Sequence, residues 1–79
     1  MYKVYVIRDD AGKLYKGMTS NLERRLVEHK SGHTRSTKHL KNIEVVYTEE
    51  YDNFEQARKR EIYLKTAAGR RFLKNKLRV

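Results

Sequence analysis

The first hydrophobic and polar positions of the chain follow the pattern of a β-hairpin. Residues 2–8 are rich in Val, Ile and Tyr, and residues 13–19 form a second strand-like run. Turn-forming residues separate the two runs. A three-residue loop over residues 10–12 puts Gly12 in the left-handed conformation that such loops require. The pattern therefore predicts two antiparallel strands joined by a tight turn.

The length of this loop fixes which side chains share a face of the hairpin. With three loop residues, Lys13 faces Asp9 and Gly17 faces Tyr5. Because side chains alternate along a strand, Tyr5, Tyr15 and Gly17 then lie on one face. The two phenol groups are predicted to be close enough to act together.

A helix is predicted after the hairpin. Ser20 and Glu23 have the spacing of a capping box, with Ser20 as the N-cap, and Gly32 is a natural stop. The inward stripe has i, i+4, i+7 spacing and comprises Leu22, Leu26 and His29. Arg25 falls beside this stripe, so Arg25 and His29 are predicted where the helix meets the sheet. Arg24 and Glu28 are predicted to point away from it.

The remainder of the chain predicts one more strand and two helices. Residues 33–42 are polar and basic without a period and indicate a loop, and residues 43–51 indicate a third strand. A second capping box over residues 52–55, with Asp52 as its first residue, opens a helix to about residue 66. Gly69 is predicted to break that helix before a short basic helix over residues 70–77.

These elements predict an α/β fold of the α+β sandwich type. A three-stranded, mainly antiparallel sheet is covered by two main helices, with the short C-terminal helix beside them. The chain of 79 residues is long enough for one domain with a modest core, so residues 1–79 are expected to form a single domain.

The second helix carries a carboxylate on its apolar stripe. The stripe has i, i+3, i+7, i+10 spacing and comprises Phe54, Ala57, Glu61 and Leu64. A carboxylate rarely lies on a buried face unless it is paired or binds a metal. An ion pair of Glu61 with Arg58 or Lys65 on the helix surface is the other interpretation, and both remain open.

The charge of the chain indicates an acidic partner. Lys and Arg total 19 against 10 for Asp and Glu, giving a net charge of +9. Nucleic acid is the leading candidate because clustered cations release counterions from its backbone. The sequence contains no long apolar run, which argues against a membrane as the partner. The chain has no cysteine and begins directly in a strand pattern without a leader, which favours a cytoplasmic location.

Many of the basic residues are candidates for contacts with a nucleic-acid backbone. They are Lys30, Arg35, Lys38, Lys41, Arg70, Arg71, Lys74, Lys76 and Arg78. His33 and His39 lie in the predicted basic loop and are interpreted as phosphate contacts or solvated side chains. Charge runs are also typical of solvated surfaces, so this binding role stays a hypothesis.

Several motifs in order resemble the GIY-YIG nuclease superfamily, and the resemblance spans nearly the whole chain. Lys3-Val4-Tyr5 stands at the GIY position and Tyr15-Lys16-Gly17 at the YIG position. The first predicted helix matches the family helix with its essential arginine at Arg25, and the second matches the helix with the metal-binding glutamate at Glu61. The loop 36–38 and the tail 69–73 are similar to small stand-alone bacterial members. The chain lacks the Gly and Ile of GIY and has Lys16 in place of the Ile of YIG.

The resemblance implies metal-dependent hydrolysis of phosphodiester bonds. Glu61 is expected to hold one divalent ion, Mg²⁺ or Mn²⁺, with mostly water ligands. Arg25 is expected to bind a non-bridging phosphate oxygen. Tyr15 is expected to position or deprotonate the attacking water, Tyr5 to orient the water or Tyr15, and His29 to hydrogen-bond Tyr15 or a phosphate. Asn75 matches a late polar residue near the site in some relatives.

Two other functions remain open from the sequence. The same fold could bind nucleic acid without cutting it, or the chain could be a basic interaction protein that docks to RNA or a ribosome. Tyr5 and Tyr15 could also be packing residues, as Tyr47 and Tyr51 are expected to be, and His29 could be a core histidine. The hypothesis chosen is an endonuclease of low sequence specificity acting on DNA, including branched or damaged forms, as a monomer or weak dimer.

Overall fold

The central element of the fold is a three-stranded antiparallel sheet with the strand order β2-β1-β3. The computed structural model describes residues 1–30 and 42–77. Along the chain the elements are β1 (Tyr2–Arg8), β2 (Leu14–Thr19), α1 (Leu22–Lys30), β3 (Glu44–Tyr51), α2 (Phe54–Leu64) and α3 (Ala67–Leu77). The predicted α+β class, with a three-stranded antiparallel sheet and helices beside it, is confirmed. No helix in these ranges is long and apolar enough to cross a membrane.

The hairpin has the predicted register. The Asp9 N–H donates to the Lys13 carbonyl oxygen at 3.0 Å, and Gly12 has a φ of +86°. Tyr5 consequently pairs with Gly17, and Tyr15 lies two residues earlier on β2 on the same face. The prediction that the two phenols share a face is confirmed because the loop has three residues.

The central strand β1 is buried on both of its faces. Val4 and Val6 pack against α2 and α3, where the buried partners are Ala57, Leu64 and Leu73. Tyr5 and Ile7 point the other way, into a cluster completed by Ile43 and by part-buried residues of β2 and α1. Since successive side chains alternate across a strand, this four-residue run supplies both halves of the core. The helix α1 therefore lies over one face of the sheet, and α2 and α3 lie over the other.

The helix α1 begins one residue later than predicted. Asn21 is the N-cap, because its Oδ1 accepts from the Arg24 N–H at 3.1 Å. The Thr19 hydroxyl in turn accepts from the Asn21 N–H at 3.1 Å. The assignment of the cap to Ser20 was wrong. Ser and Asn are both strong N-cap residues and stand side by side, so the sequence does not choose between them.

The helix α2 shows the same displacement by one residue. Its N-cap is Asn53 and not Asp52, and the Asn53 Oδ1 accepts from the Gln56 N–H at 2.9 Å. The prediction that Phe54 belongs to the buried stripe was also wrong. Phe54 is 53% exposed at the first helical position, where its ring contacts Tyr2 edge-on at 5.8 Å.

Gly69 does not break a helix. The break lies at Lys65 and Thr66, where the Thr66 hydroxyl accepts from the Gly69 N–H at 3.1 Å and opens α3. Gly69 lies inside the first turn of α3, and a Cβ atom there would lie 2.1 Å from the Tyr63 carbonyl oxygen. This position therefore requires glycine because the backbones of α2 and α3 approach closely.

A half-buried carboxylate joins β3 to α2. The Glu49 carboxylate accepts hydrogen bonds from the Tyr47 and Tyr51 hydroxyls and from two nitrogens of Arg60, at 2.9 and 3.0 Å. Burial alone would raise the pKa of Glu49, but these donors hold it below its ordinary value. Burial and the Glu49 carboxylate raise the pKa of Tyr51 to about 12. Tyr47 and Tyr51 are thus half-buried packing residues that also fix a charged group.

We predict that Gly69→Ala destabilises the protein because the added methyl group collides with the α2 backbone. Overpacking of this kind costs about 1–3 kcal/mol in free energy of unfolding. Chemical denaturation of the two proteins measures the difference. The exposed neighbour Ala68 provides the control, since Ala68→Ser should change stability by no more than about 0.5 kcal/mol. Equal stabilities of the Gly69→Ala and Ala68→Ser variants would contradict the close helix approach.

Candidate active site

The hydroxyl group of Tyr5 is the centre of the candidate site. Tyr5 is completely buried on the face of β1 that α1 covers. Its oxygen lies 2.8 Å from His29 Nε2, and the Arg25 Nε–H donates to it at 3.4 Å. Arg25 and His29 are four residues apart on α1, so both side chains leave the helix on the same side. The β1–α1 packing therefore brings a phenol, a guanidinium and an imidazole together.

The hydrogen-bond directions at this centre follow from the donor inventory. A guanidinium can only donate, so the Tyr5 oxygen accepts from Arg25. The direction of the hydrogen bond between Tyr5 and His29 depends on the tautomer of the imidazole: with the ring proton on Nδ1, Nε2 accepts the phenol proton. Burial and the positive charge of Arg25 both lower the pKa of His29, which favours a neutral ring. In this tautomer, hydrogen bonds run from Arg25 to Tyr5 and from Tyr5 to His29.

The phenol itself is also held in its neutral form. Burial raises the pKa of Tyr5, and the hydrogen bond and charge of Arg25 partly offset that rise. The negative charge of Glu61 adds to the rise, which puts Glu61 within electrostatic range of the Tyr5 hydroxyl. At neutral pH the Tyr5 group therefore carries its proton and can donate it.

Gly17 makes room for the Tyr5 hydroxyl. A Cβ atom at this position would lie 2.5 Å from the Tyr5 oxygen, so a side chain would displace the phenol from its partners. Tyr15, two residues earlier, contacts the His29 ring edge-on with centroids 5.2 Å apart. The structure thus brings Tyr5, Tyr15, Arg25 and His29 together. His29 Nε2 lies within hydrogen-bond distance of the Tyr5 hydroxyl, and the hydrogen bond expected from His29 to Tyr15 or a phosphate stays a prediction.

Arg25 is held on both sides but remains accessible. Its Nη1 donates to Glu28 Oε1 at 3.3 Å, and it borders a cavity of ≈ 270 Å³ at the start of α1. The prediction that Glu28 points away was wrong, since the i, i+3 spacing lets its carboxylate turn back to Arg25. The i, i+3 spacing of Arg25 and Glu28 was the feature of the sequence that could have predicted this contact. Arg24 is solvated as predicted, with a side chain that is 78% exposed.

Glu61 combines the two interpretations that its sequence position left open. Its side chain is only 9% exposed, and it lies on the α2 face that packs on the sheet. It is also paired with cations on both sides, since Arg58 Nη1 lies 2.8 Å and Lys65 Nζ 3.4 Å from its oxygens. A buried carboxylate that keeps its charge requires such partners.

The donor set around Glu61 fits a hydrated hard cation. No group of three or more His, Cys, Asp or Glu side chains in residues 1–30 and 42–77 could enclose a metal ion. A carboxylate oxygen is nevertheless the ligand type that Mg²⁺ and Mn²⁺ prefer, and Mg²⁺ usually keeps several waters beside one or two carboxylates and substrate phosphates. Glu61 can therefore supply the one protein ligand of such an ion, in exchange with Arg58 or Lys65.

The predicted backbone-binding residues are only partly described. The exposed ones are Lys30 on α1 and Arg70, Arg71, Lys74 and Lys76 on α3, where Asn75 is exposed as well. The remaining predictions fall on residues outside the described ranges, namely Gly32, His33, Arg35, Lys38, His39, Lys41 and Arg78. Lys16, which departs from the YIG motif, lies on the face of the sheet that α2 and α3 cover.

A three-stranded antiparallel sheet with helices on both faces, carrying a tyrosine–arginine–histidine cluster, defines an α+β fold with a candidate active site between β1 and α1. The sequence model described as the GIY-YIG catalytic domain matches residues 1–76. The chain belongs to the GIY-YIG family, which is a nuclease superfamily whose members generally use a divalent metal. The resemblance stated from its motifs is confirmed.

Relatives of similar size support this assignment. A UPF0213 protein from Staphylococcus saprophyticus is 32% identical over 72 residues, covering 90% of this chain and 88% of the relative. A UPF0213 protein from Natronomonas pharaonis is 38% identical over 64 residues, covering 80% and 75%. The solution NMR structure of a UPF0213 protein from Bacillus halodurans is similar with a TM-score of 0.57 and 26% identity, covering 92% of this chain and 82% of that one.

The neutral state of His29 predicts a pH dependence of stability. Its pKa in the folded chain lies below the ordinary value of about 6.5, so below that pH the unfolded chain binds more protons than the folded one. The contribution of His29 to the free energy of unfolding is therefore complete above about pH 6.5 and is lost as the pH falls toward the folded pKa.

Denaturation of wild type and His29→Gln between about pH 5 and 8 measures this contribution, in the range over which histidine titrates. The wild type should gain more stability with rising pH than the variant does. His33 and His39 are present in both proteins, so their titration cancels in the comparison. Parallel pH profiles of the two proteins would show that His29 is not held neutral by the fold.

Proposed function

We propose that this protein is a metal-dependent endonuclease that hydrolyses phosphodiester bonds of DNA. The observation that carries the proposal is the Tyr5 hydroxyl held between Arg25 and a neutral His29, in a chain of the GIY-YIG family. Residues 1–79 act as one domain, as a monomer or weak dimer in the cytoplasm. The net charge of +9 attracts the polyanionic substrate.

Arg25 binds the phosphate group that is cut. Its Nε–H is used by Tyr5 and one Nη1–H by Glu28, which leaves further N–H groups for a non-bridging oxygen. The guanidinium is oriented before substrate arrives because these two contacts hold it. A preoriented donor of this kind stabilises the charge that develops on the phosphate oxygens in the transition state.

Tyr15, Tyr5 and His29 handle the attacking water and its proton. Tyr15 positions the water beside the cluster. As the water oxygen bonds to phosphorus and the bond from phosphorus to the 3′ oxygen breaks, the water proton passes to the Tyr5 oxygen. The Tyr5 proton passes at the same time to His29 Nε2, which lies 2.8 Å from the Tyr5 oxygen. This transfer avoids a free phenolate, which the buried position of Tyr5 disfavours.

Glu61 is the residue that holds the divalent ion, Mg²⁺ or Mn²⁺. When bound, this ion supplies Lewis-acid stabilisation of the leaving oxygen. Arg58 and Lys65 supply the counter-charge to this buried side chain in the absence of the ion, and both are about half exposed and so can exchange with it.

The substrate is proposed to be recognised by its backbone and not by its sequence. The exposed cations of α3 suit phosphate contacts, which position a duplex without reading bases. A small domain has little surface for opening a regular duplex, which favours branched or damaged DNA. A role in DNA repair or recombination follows from that preference.

One observation favours a second function. Both oxygens of Glu61 already have cationic partners, so the carboxylate is neutralised without a metal. In that state the chain would be a nucleic-acid-binding module of the same fold, which binds the backbone and does not cut it. An RNA-docking role would be distinguished from both by preference for RNA and by independence from Tyr15 and Arg25.

We predict that the wild type nicks supercoiled plasmid or a four-way junction with Mg²⁺ or Mn²⁺. Arg25→Ala and Glu61→Gln should each lower the single-turnover rate by about 10²–10³-fold, the effect of removing one transition-state contact. Chelation of the metal should abolish cleavage and its return should restore it. Glu61→Gln should bind DNA at least as well as wild type because Arg58 and Lys65 are released.

The matched controls are the exposed neighbours Arg24→Ala on α1 and Glu55→Ala on α2, which should retain the wild-type rate. Equal cleavage by wild type, Arg25→Ala and Glu61→Gln would assign the activity to another site or a contaminant. Binding without cleavage by the wild type under every metal condition would establish the binding module instead.

A further inference from the structure

Lys16 occupies an unusual position for a lysine. It lies in the middle of β2, paired with Val6 of the central strand, on the sheet face that α2 and α3 cover. Its side chain is half-buried, whereas most lysines on this chain are exposed. Among the described residues no carboxylate forms an ion pair with Lys16. A half-buried ammonium without a counter-charge is unfavourable, so an anion from outside the chain would stabilise it.

Two further cations come to the same corner of the fold. Lys65 is the C-cap of α2, and Arg70 lies in the first turn of α3, where its N–H donates to the Thr66 carbonyl oxygen at 2.9 Å. The α2–α3 junction therefore brings Lys65 and Arg70 close together along the chain, on the two helices that cover this face of the sheet. Burial lowers the pKa of Lys16, and the positive charges of Arg70 and Lys65 lower it further, so the three charges act on one another.

The negative charge at this corner does not balance the cations. Lys65 has Glu61 as its partner at 3.4 Å, but Glu61 is shared with Arg58. Within residues 1–30 and 42–77, Arg70 has no carboxylate partner. Lys65 and Arg70 thus lie within electrostatic range of Lys16, and the carboxylate beside Lys65 is shared with Arg58. Such a cluster matches a phosphate group, which accepts several hydrogen bonds from different directions.

We infer that Lys16, Lys65 and Arg70 form a second phosphate-binding site, which takes a phosphate of the nucleic-acid strand away from the bond that is cut. The site lies on the opposite face of β2 from Tyr15 and adjoins Glu61 through Lys65. It rests on the proposal that the substrate is nucleic acid. The phosphate is either internal to the backbone or at the end of a strand, since both present the same oxygens.

Equilibrium binding of a fluorescently labelled single-stranded oligonucleotide, measured at several salt concentrations without divalent metal, tests the site. Lys16→Met should raise Kd about tenfold, as expected for the loss of a charged hydrogen bond. It should also reduce the slope of log K against log salt by about 0.7, the value for one phosphate contact on a single strand. Arg70→Met should act in the same direction.

The control variants distinguish binding at this site from the general attraction of a basic protein for nucleic acid. Lys59→Met removes an exposed lysine of α2 and should weaken binding much less than Lys16→Met does. Lys16→Arg keeps the charge and should retain most of the affinity. Lys16→Met keeps the side-chain length and places an apolar group against the sheet, so thermal unfolding should remain cooperative. Equal effects of Lys16→Met and Lys59→Met would overturn the inference.

A matched oligonucleotide with a terminal phosphate identifies the source of the ligand. If the terminal phosphate tightens binding to wild type and this gain disappears in Lys16→Met, the site takes a strand end. If Lys16→Met weakens both oligonucleotides equally, the site takes an internal phosphate. Both results support the site.

Failure of the second phosphate-binding site can be distinguished from failure of the proposed function. Metal-dependent nicking with unchanged binding by Lys16→Met would overturn only the second site. Lys16-dependent binding without nicking by the wild type would overturn only the nuclease and keep the site as part of a binding module.

Discussion

The short contact between the Tyr5 hydroxyl and His29 Nε2 is the interaction on which the candidate site depends. It requires β1 to be buried on both faces, α1 to pack on one of them, and Gly17 to leave space for the phenol oxygen. Burial then sets the chemistry, because it favours the neutral forms of both rings. The same packing that stabilises the fold therefore holds the phenol oxygen and the imidazole nitrogen within hydrogen-bond distance of each other.

The role of a charged residue in this chain depends on its burial and its partners as well as on the net charge. Two carboxylates on the α2 side of the sheet, the buried Glu61 and the half-buried Glu49, are held by their partners in different ways. Glu49 accepts two hydrogen bonds from Arg60 and one from each of two tyrosine hydroxyls. This fixed arrangement suits a structural role. Glu61 is held by Arg58 and Lys65, whose side chains are about half exposed and free to exchange. A carboxylate in the second arrangement can accept another cation, whereas one in the first cannot without loss of tertiary contacts.

Much of this arrangement could be predicted from the sequence because it depends on local periodicity. The turn residues gave the hairpin register, and the helical spacing placed Arg25 and His29 toward the sheet. The N-caps were displaced by one residue because Asn21 and Asn53 each follow another good cap. Gly69 could not be interpreted locally, since its role comes from the approach of α2. The contact of Glu28 with Arg25 follows from their i, i+3 spacing on α1 and could have been predicted. The electrostatic proximity of Lys16 to Arg70 depends on tertiary packing, which local sequence patterns do not contain.

The central claim is that the Tyr5 hydroxyl transfers the proton of the attacking water to His29. The most direct measurement is the single-turnover nicking rate of Tyr5→Phe beside wild type, with denaturant unfolding of both proteins. Loss of one positioned acid–base group should slow cleavage by about 10²–10⁴-fold while unfolding stays cooperative. A Tyr5→Phe variant that nicks DNA at the wild-type rate would contradict the claim, as would a wild type that binds DNA and never cuts it.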